Sequence, residues 1–158
     1  MVYVCRKEHF SAAHRLYNPN WTQEENEDRF GICANPNSHG HNFTLTTKVR
    51  GVPDPDTGCV MDLKLLGSII RENVIQPVDG RHLNDEVDFL SGKTPSCEVV
   101  IMAFWEILAP RIYKASGGRA TLYKLELYET AKNFVEYFGE GYELNPPAVE
   151  QTLDSALF

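Results

Sequence analysis

Apolar and polar positions alternate cleanly at both ends of the chain and follow a helical period in its middle. From residue 2 to 14, Val2 and Val4 open a strand in which Phe10, Ala12 and His14 share one parity and therefore one face. From His39 the alternation returns, with His39, His41, Phe43, Leu45, Thr47 and Val49 on one face, until GVPDPDTG (51–58) breaks it with paired prolines and glycines. Between these strands, Tyr17 to Pro36 reads as a polar, turn-rich connection whose acidic QEENED run is a solvated loop. Asp62 is a good N-cap for a helix with a Leu63, Leu66, Ile70, Val74 stripe, ending near Gln76 at Pro77. A second helix starts at Thr94-Pro95, buries Val100, Phe104, Ile107 and Leu108, and should kink or end at Pro110. Residues 121–129 alternate again, with Tyr123, Leu125, Leu127 and Glu129 on one face, and a short strand follows at 133–138. The order ββααββ predicts an α+β fold, a four-stranded antiparallel sheet with two helices on one face. There is no internal repeat. The residues divide into a domain at 1–139 and a C-terminal tail at 140–158.

Composition narrows the function classes. The 158 residues are 42% hydrophobic and 23% charged, as in an ordinary single globular domain. A net charge of −7 argues against nucleic acid or an anionic membrane surface as partner. No apolar run approaches the roughly 20 residues of a membrane span, and the first residues carry no export signal, so a cytoplasmic setting is expected. Cys5, Cys33, Cys59 and Cys97 form no CxxC pair and are expected to be reduced thiols.

Candidate chemistry begins with NSHGHNF (37–43). On a strand, His39 and His41 point the same way, and the glycine between them leaves room for a shared ion. If the first two strands pair antiparallel, His14 at the end of one lies beside His39 and His41 at the start of the other. Three imidazoles leave a fourth tetrahedral position open, the arrangement of a catalytic zinc. Cys33, with ANPNS between it and His39, is close enough to bring a thiol beside that ion. There it serves as a proton-transferring base, its thiolate favoured by the dication, or as a fourth ligand that closes the site. Glu129 falls on the apolar parity at a strand end, where a carboxylate needs a partner with donors. That partner is either a ring edge with two N–H groups or an internal arginine.

Taken in order, FSAAHRL (10–16), CANPNSHGHNF (33–43), GCVMDLKLL (58–66), PVDGRHLND (77–85) and LYET (127–130) resemble the motifs of the 6-pyruvoyltetrahydropterin synthases. The 6-carboxytetrahydropterin synthases of queuosine biosynthesis share most of them. The resemblance implies the T-fold, with sheets of a trimer closing into a barrel, two trimers stacking, and active sites between subunits. It implies zinc on His14, His39 and His41, a catalytic Cys33, a pterin ring anchored by Glu129, and help from Glu98. The five residues between Cys33 and His39 favour the 6-pyruvoyl enzymes, which convert 7,8-dihydroneopterin triphosphate to 6-pyruvoyltetrahydropterin and triphosphate. The queuosine enzyme, a weakly active pterin-binding homologue and an unrelated protein with a structural zinc are the alternatives. Two positions depart from the family pattern. Asp79 is followed by Gly80 where the family has the histidine of an Asp-His pair, and His82 is the nearest substitute. Cys97 stands where Ser or Thr is usual. Phosphate ligands are left open among Lys7, Arg15, Arg29, Arg81 and others.

Overall fold

In the computed structural model, which describes residues 1–142, the frame is a pair of long antiparallel strands, β1 (Val2–His14) and β2 (His39–Gly51). Their register runs unbroken from Val2 opposite Gly51 to His14 opposite His39. Opposed residues of an antiparallel pair share a face, so one face carries Phe10 against Phe43, stacked at 4.8 Å, and Ala12 against His41. That face is covered by α2 (Leu63–Ile70) and α3 (Cys97–Ala115). Phe43, Leu45, Leu66, Ile70, Phe104, Leu108, Ile112, Leu125 and Leu127 are fully buried between sheet and helices. Each such side chain contributes about 1.5–3 kcal/mol of burial.

The sheet has five strands in the order β3-β1-β2-β4-β5, with β4 at Ala120–Tyr128 and β5 at Phe134–Tyr137. The extra strand, β3 (Arg81–His82), pairs parallel to Ala12 and Ala13 of β1. Two residues leave no periodicity to detect, so the sequence reading had only four strands. The connection between β1 and β2 holds a helix, α1 (Gln23–Phe30), followed by a 3₁₀ turn at Gly31–Ala34, where a solvated loop was expected. The signal was present: Thr22 and Glu25 form a reciprocal capping box. Asn26, 2% exposed, then locks the helix to the loop, accepting from Asn18 N and donating to the Asn18 and Thr22 carbonyls.

Three further expectations change in detail. The helix beginning at the Asp62 cap is α-helical only to Ile70 and continues as a π-helical stretch through Ile75, with Leu63 left exposed. Pro110 does not end α3. It sits on the solvent face, and Glu106, the residue whose carbonyl loses its amide donor, is exposed as well. Burial of Leu108 and Ile112 on the opposite face outweighs the roughly 3 kcal/mol cost of the proline. The alternation in β4 is interrupted, because Lys48 pairs with Lys124 and Val49 with Leu122. Tyr123 is therefore an extra residue, a β-bulge, and its ring turns to the outer face against Tyr3 at 4.8 Å. Among the described residues no helix is long and apolar enough to cross a membrane.

Candidate functional site

The β1–β2 register decides the site. It sets His14 directly opposite His39 and places His41 opposite Ala12, whose methyl leaves the imidazole room. The glycine between the histidines has a different reason from the one expected. Side chains alternate, so a Cβ at Gly40 would project to the other face, where it would lie 3.1 Å from the Ala12 carbonyl oxygen. Glycine permits close approach of β1.

His14, 1% exposed, places Nδ1 2.9 Å from the Pro95 carbonyl oxygen. A carbonyl only accepts, so Nδ1 carries the proton and Nε2 presents a lone pair. That Nε2 is 3.2 Å from His39 Nε2. One ligand atom from each of His14, His39 and His41 lies within 4.8 Å of the others, a group able to hold a metal ion. Tetrahedral zinc binds imidazole nitrogens at about 2.0–2.1 Å and therefore separates them by about 3.3 Å, close to the His14–His39 spacing. Burial holds His14 and His39 below the ordinary histidine pKa, and for His39 the neighbouring His14 adds to it. Both are thus kept as the neutral ligands a metal requires. The donor set fits zinc.

Glu129 follows the last residue of β4. Its Oε1 is 3.4 Å from His14 Nε2 and 3.5 Å from His41 Nε2. No arginine pairs with it among the described residues, so the internal salt bridge weighed above is not formed there. Glu129 instead faces a cleft of about 430 Å³ that is also lined by His14, Cys33, Cys97 and Glu98. Cys33 is not part of the three-histidine group. Burial, then the Glu129 charge, pushes its thiol above the ordinary value, so nothing in the chain alone favours the thiolate expected beside a dication. Burial, with Glu129 and Glu98, pushes Cys97 up to about 12. All four cysteines are free.

Asp79 and His82 are not brought to this cleft. Asp79 Oδ1 accepts from Ser11 N at 2.8 Å. Gly80 and His82 line a second concavity of about 490 Å³, with Ser11, Gly40 and Asn42. Gly80 has φ +71°, a left-handed conformation that glycine adopts without strain, and its amide donates to the Ser11 carbonyl at 2.7 Å. His82 Nε2 is 2.7 Å from Ser38 Oγ. His82 Nδ1 is 2.7 Å from Asp85 Oδ2, a contact lacking hydrogen-bond direction. Ser38 precedes His39 and is the one non-glycine residue with positive φ, +62°, among those described. Sequence reasoning missed Ser38, Asp85 and the Pro95 carbonyl. The first adjoins the His-Gly-His motif, but a carbonyl contact across 81 residues leaves no trace in the sequence.

Comparison with known proteins bears on the whole domain. The sequence profile of the 6-pyruvoyl tetrahydropterin synthase family matches residues 3–140. The 6-pyruvoyl tetrahydrobiopterin synthase of Homo sapiens is 39% identical over 137 residues, covering 87% of this chain and 91% of that protein. The Dictyostelium discoideum protein of the same name is 34% identical over 139 residues, covering 88% and 97%. Among solved structures, the Caenorhabditis elegans 6-pyruvoyl tetrahydropterin synthase superposes with a TM-score of 0.77 at 35% identity, covering 87% of this chain and 95% of that one.

Proposed function

The chain belongs to the 6-pyruvoyl tetrahydropterin synthase family, and from that premise we propose that it is a zinc-dependent lyase. It converts 7,8-dihydroneopterin triphosphate to 6-pyruvoyltetrahydropterin, with loss of triphosphate. The observation that carries this reading is the convergence of His14, Cys33, Glu98 and Glu129 on one cleft beside His39 and His41.

His14, His39 and His41 would hold the zinc, with His14 oriented by its bond to Pro95. When bound, zinc supplies a Lewis acid that polarises the substrate's side-chain hydroxyls and acidifies the adjacent C–H. Glu129 accepts two N–H bonds from the pterin ring edge, and Glu98 in the first turn of α3 helps fix the ring. Cys33 removes the carbon-bound proton as thiolate, the electron pair passes to the ring C=N so that hydrogen moves from the side-chain carbinol to the ring, and the triphosphate then leaves the side chain. The elimination needs no external oxidant, because oxidation of the side chain balances reduction of the ring. Within one chain, Asp79 lies at Ser11, away from the Cys33 cleft. We therefore assign Asp79 to the Cys33 of a neighbouring copy in a trimer or a pair of trimers. His82, oriented by Ser38, provides the imidazole that Gly80 does not.

Gly80 also favours a second reading, a pterin-binding homologue with slow turnover. Incubating the zinc-loaded protein with dihydroneopterin triphosphate and identifying products by liquid chromatography and mass spectrometry separates the cases. 6-Pyruvoyltetrahydropterin supports the proposal, 6-carboxytetrahydropterin points to the queuosine reaction, and unchanged substrate with tight binding supports the second reading.

A further inference from the structure

The charge pattern of the cleft carries an inference that rests on the pterin reading above. Its titratable walls are the carboxylates Glu98 and Glu129, the thiols Cys33 and Cys97, and the imidazole of His14. Against these stands a single cation among the described lining residues, Lys132. A substrate carrying a triphosphate meets repulsion from both carboxylates. Apart from the zinc, which its side-chain hydroxyls would engage, the described lining of this chain has one ammonium to offset it.

Lys132 is also held in place. It lies in the turn that joins β4 to β5, three residues beyond Glu129. Thr130 Oγ1 accepts from the amides of Lys132 at 3.2 Å and Asn133 at 3.0 Å. The Glu129 amide donates to the Asn133 carbonyl at 3.1 Å. The same turn thus fixes the backbone of the ring-facing carboxylate and of the lysine. Lys132 joins none of the ion pairs among the described residues, unlike Lys124 of the same hairpin, which Glu126 and Glu136 engage. Among the described residues its ammonium has no ion-pair partner.

We propose that Lys132 is a specificity-determining residue that distinguishes phosphorylated from unphosphorylated pterins. Its ammonium donates to the phosphate chain while Glu129 holds the ring.

The test is calorimetry on the zinc-loaded protein with two probes, 7,8-dihydroneopterin triphosphate and 7,8-dihydroneopterin. Lys132→Ala should weaken binding of the triphosphate by about tenfold, the low end for a hydrogen bond between charged groups on an exposed side chain. It should leave binding of dihydroneopterin unchanged, and Lys132→Arg should restore the preference for the triphosphate. The wild-type preference should shrink as salt rises. A Lys132→Ala protein that keeps the full preference, or weakens both probes equally, overturns the inference while leaving the pterin reading intact. A wild-type protein that binds neither probe overturns both.

Discussion

His14 donates from Nδ1 to the carbonyl oxygen of Pro95 across 2.9 Å, joining the end of the first strand to the residue ahead of the Ser96 cap of α3. This bond fixes the tautomer that turns Nε2 toward His39 and His41, so a contact between the sheet and the segment ahead of α3 orients one of the three proposed metal ligands. Backbone partners of this kind commonly orient metal-binding histidines.

Zinc content follows from that arrangement. The purified protein should hold about one zinc per chain, the complement of one three-histidine site. His39→Ala should lose most of it by elemental analysis, with α3 and the sheet preserved by circular dichroism. Full zinc retention in that variant would move the site elsewhere.

Cys33 should act through its proton. Cys33→Ala should retain zinc and pterin binding while turnover falls by roughly 10²-fold or more; loss of zinc would instead make Cys33 a ligand. In metal-stripped protein with Cys5 and Cys59 replaced by serine, Cys33 alkylation should rise with pH through a midpoint above the ordinary thiol value of about 8.5. The direction follows because burial and the Glu129 charge both disfavour the thiolate. Cys97, pushed up to about 12, should stay unlabelled over the same range.

Glu129→Gln keeps the shape of the anchor but faces the ring's donors with an amide donor. Pterin affinity should fall by about 2–5 kcal/mol, as when one partner of a desolvated charged pair is lost. The lower end is expected, because Glu129 keeps 22% of its side-chain exposure. Unchanged affinity in calorimetry would make the carboxylate a purely structural group.

His82 and Gly80 should respond differently to exchange. His82→Ala should cut turnover by about 10²-fold, the contribution of a positioned acid–base group, with zinc content and pterin affinity retained. Gly80→His meets open space, since no atom lies within 4 Å of a Cβ placed there. At φ +71°, however, it strains the backbone by on the order of 1–2 kcal/mol. It should lower the melting temperature and add little activity. A large gain from Gly80→His with no loss from His82→Ala would return the role to position 80.

The second helix was expected from Thr94-Pro95, but its cap is Ser96 and Pro95 lies outside it. The sequence by itself did determine the two long strands, the cap at Asp62, and the parity that puts His14, His39 and His41 on one face. These are consequences of local periodicity, which depends only on residues within a turn or a pleat of each other. The capping box at Thr22 was equally local and was hidden by the acidity of the run it starts. Only the tertiary structure decided the rest, because each remaining feature depends on a partner distant in the chain. The bulge at Tyr123 exists through its register with Lys48 and Val49. β3 exists through the edge of β1, and the helix survives Pro110 because its other face is buried. Periodicity could place three imidazoles on one face, but only the unbroken pairing of β1 with β2 brought His14 opposite His39. Likewise Asp79, near the chemistry in motif order, lies at Ser11 and apart from Cys33, since order along a chain does not specify distance between strands.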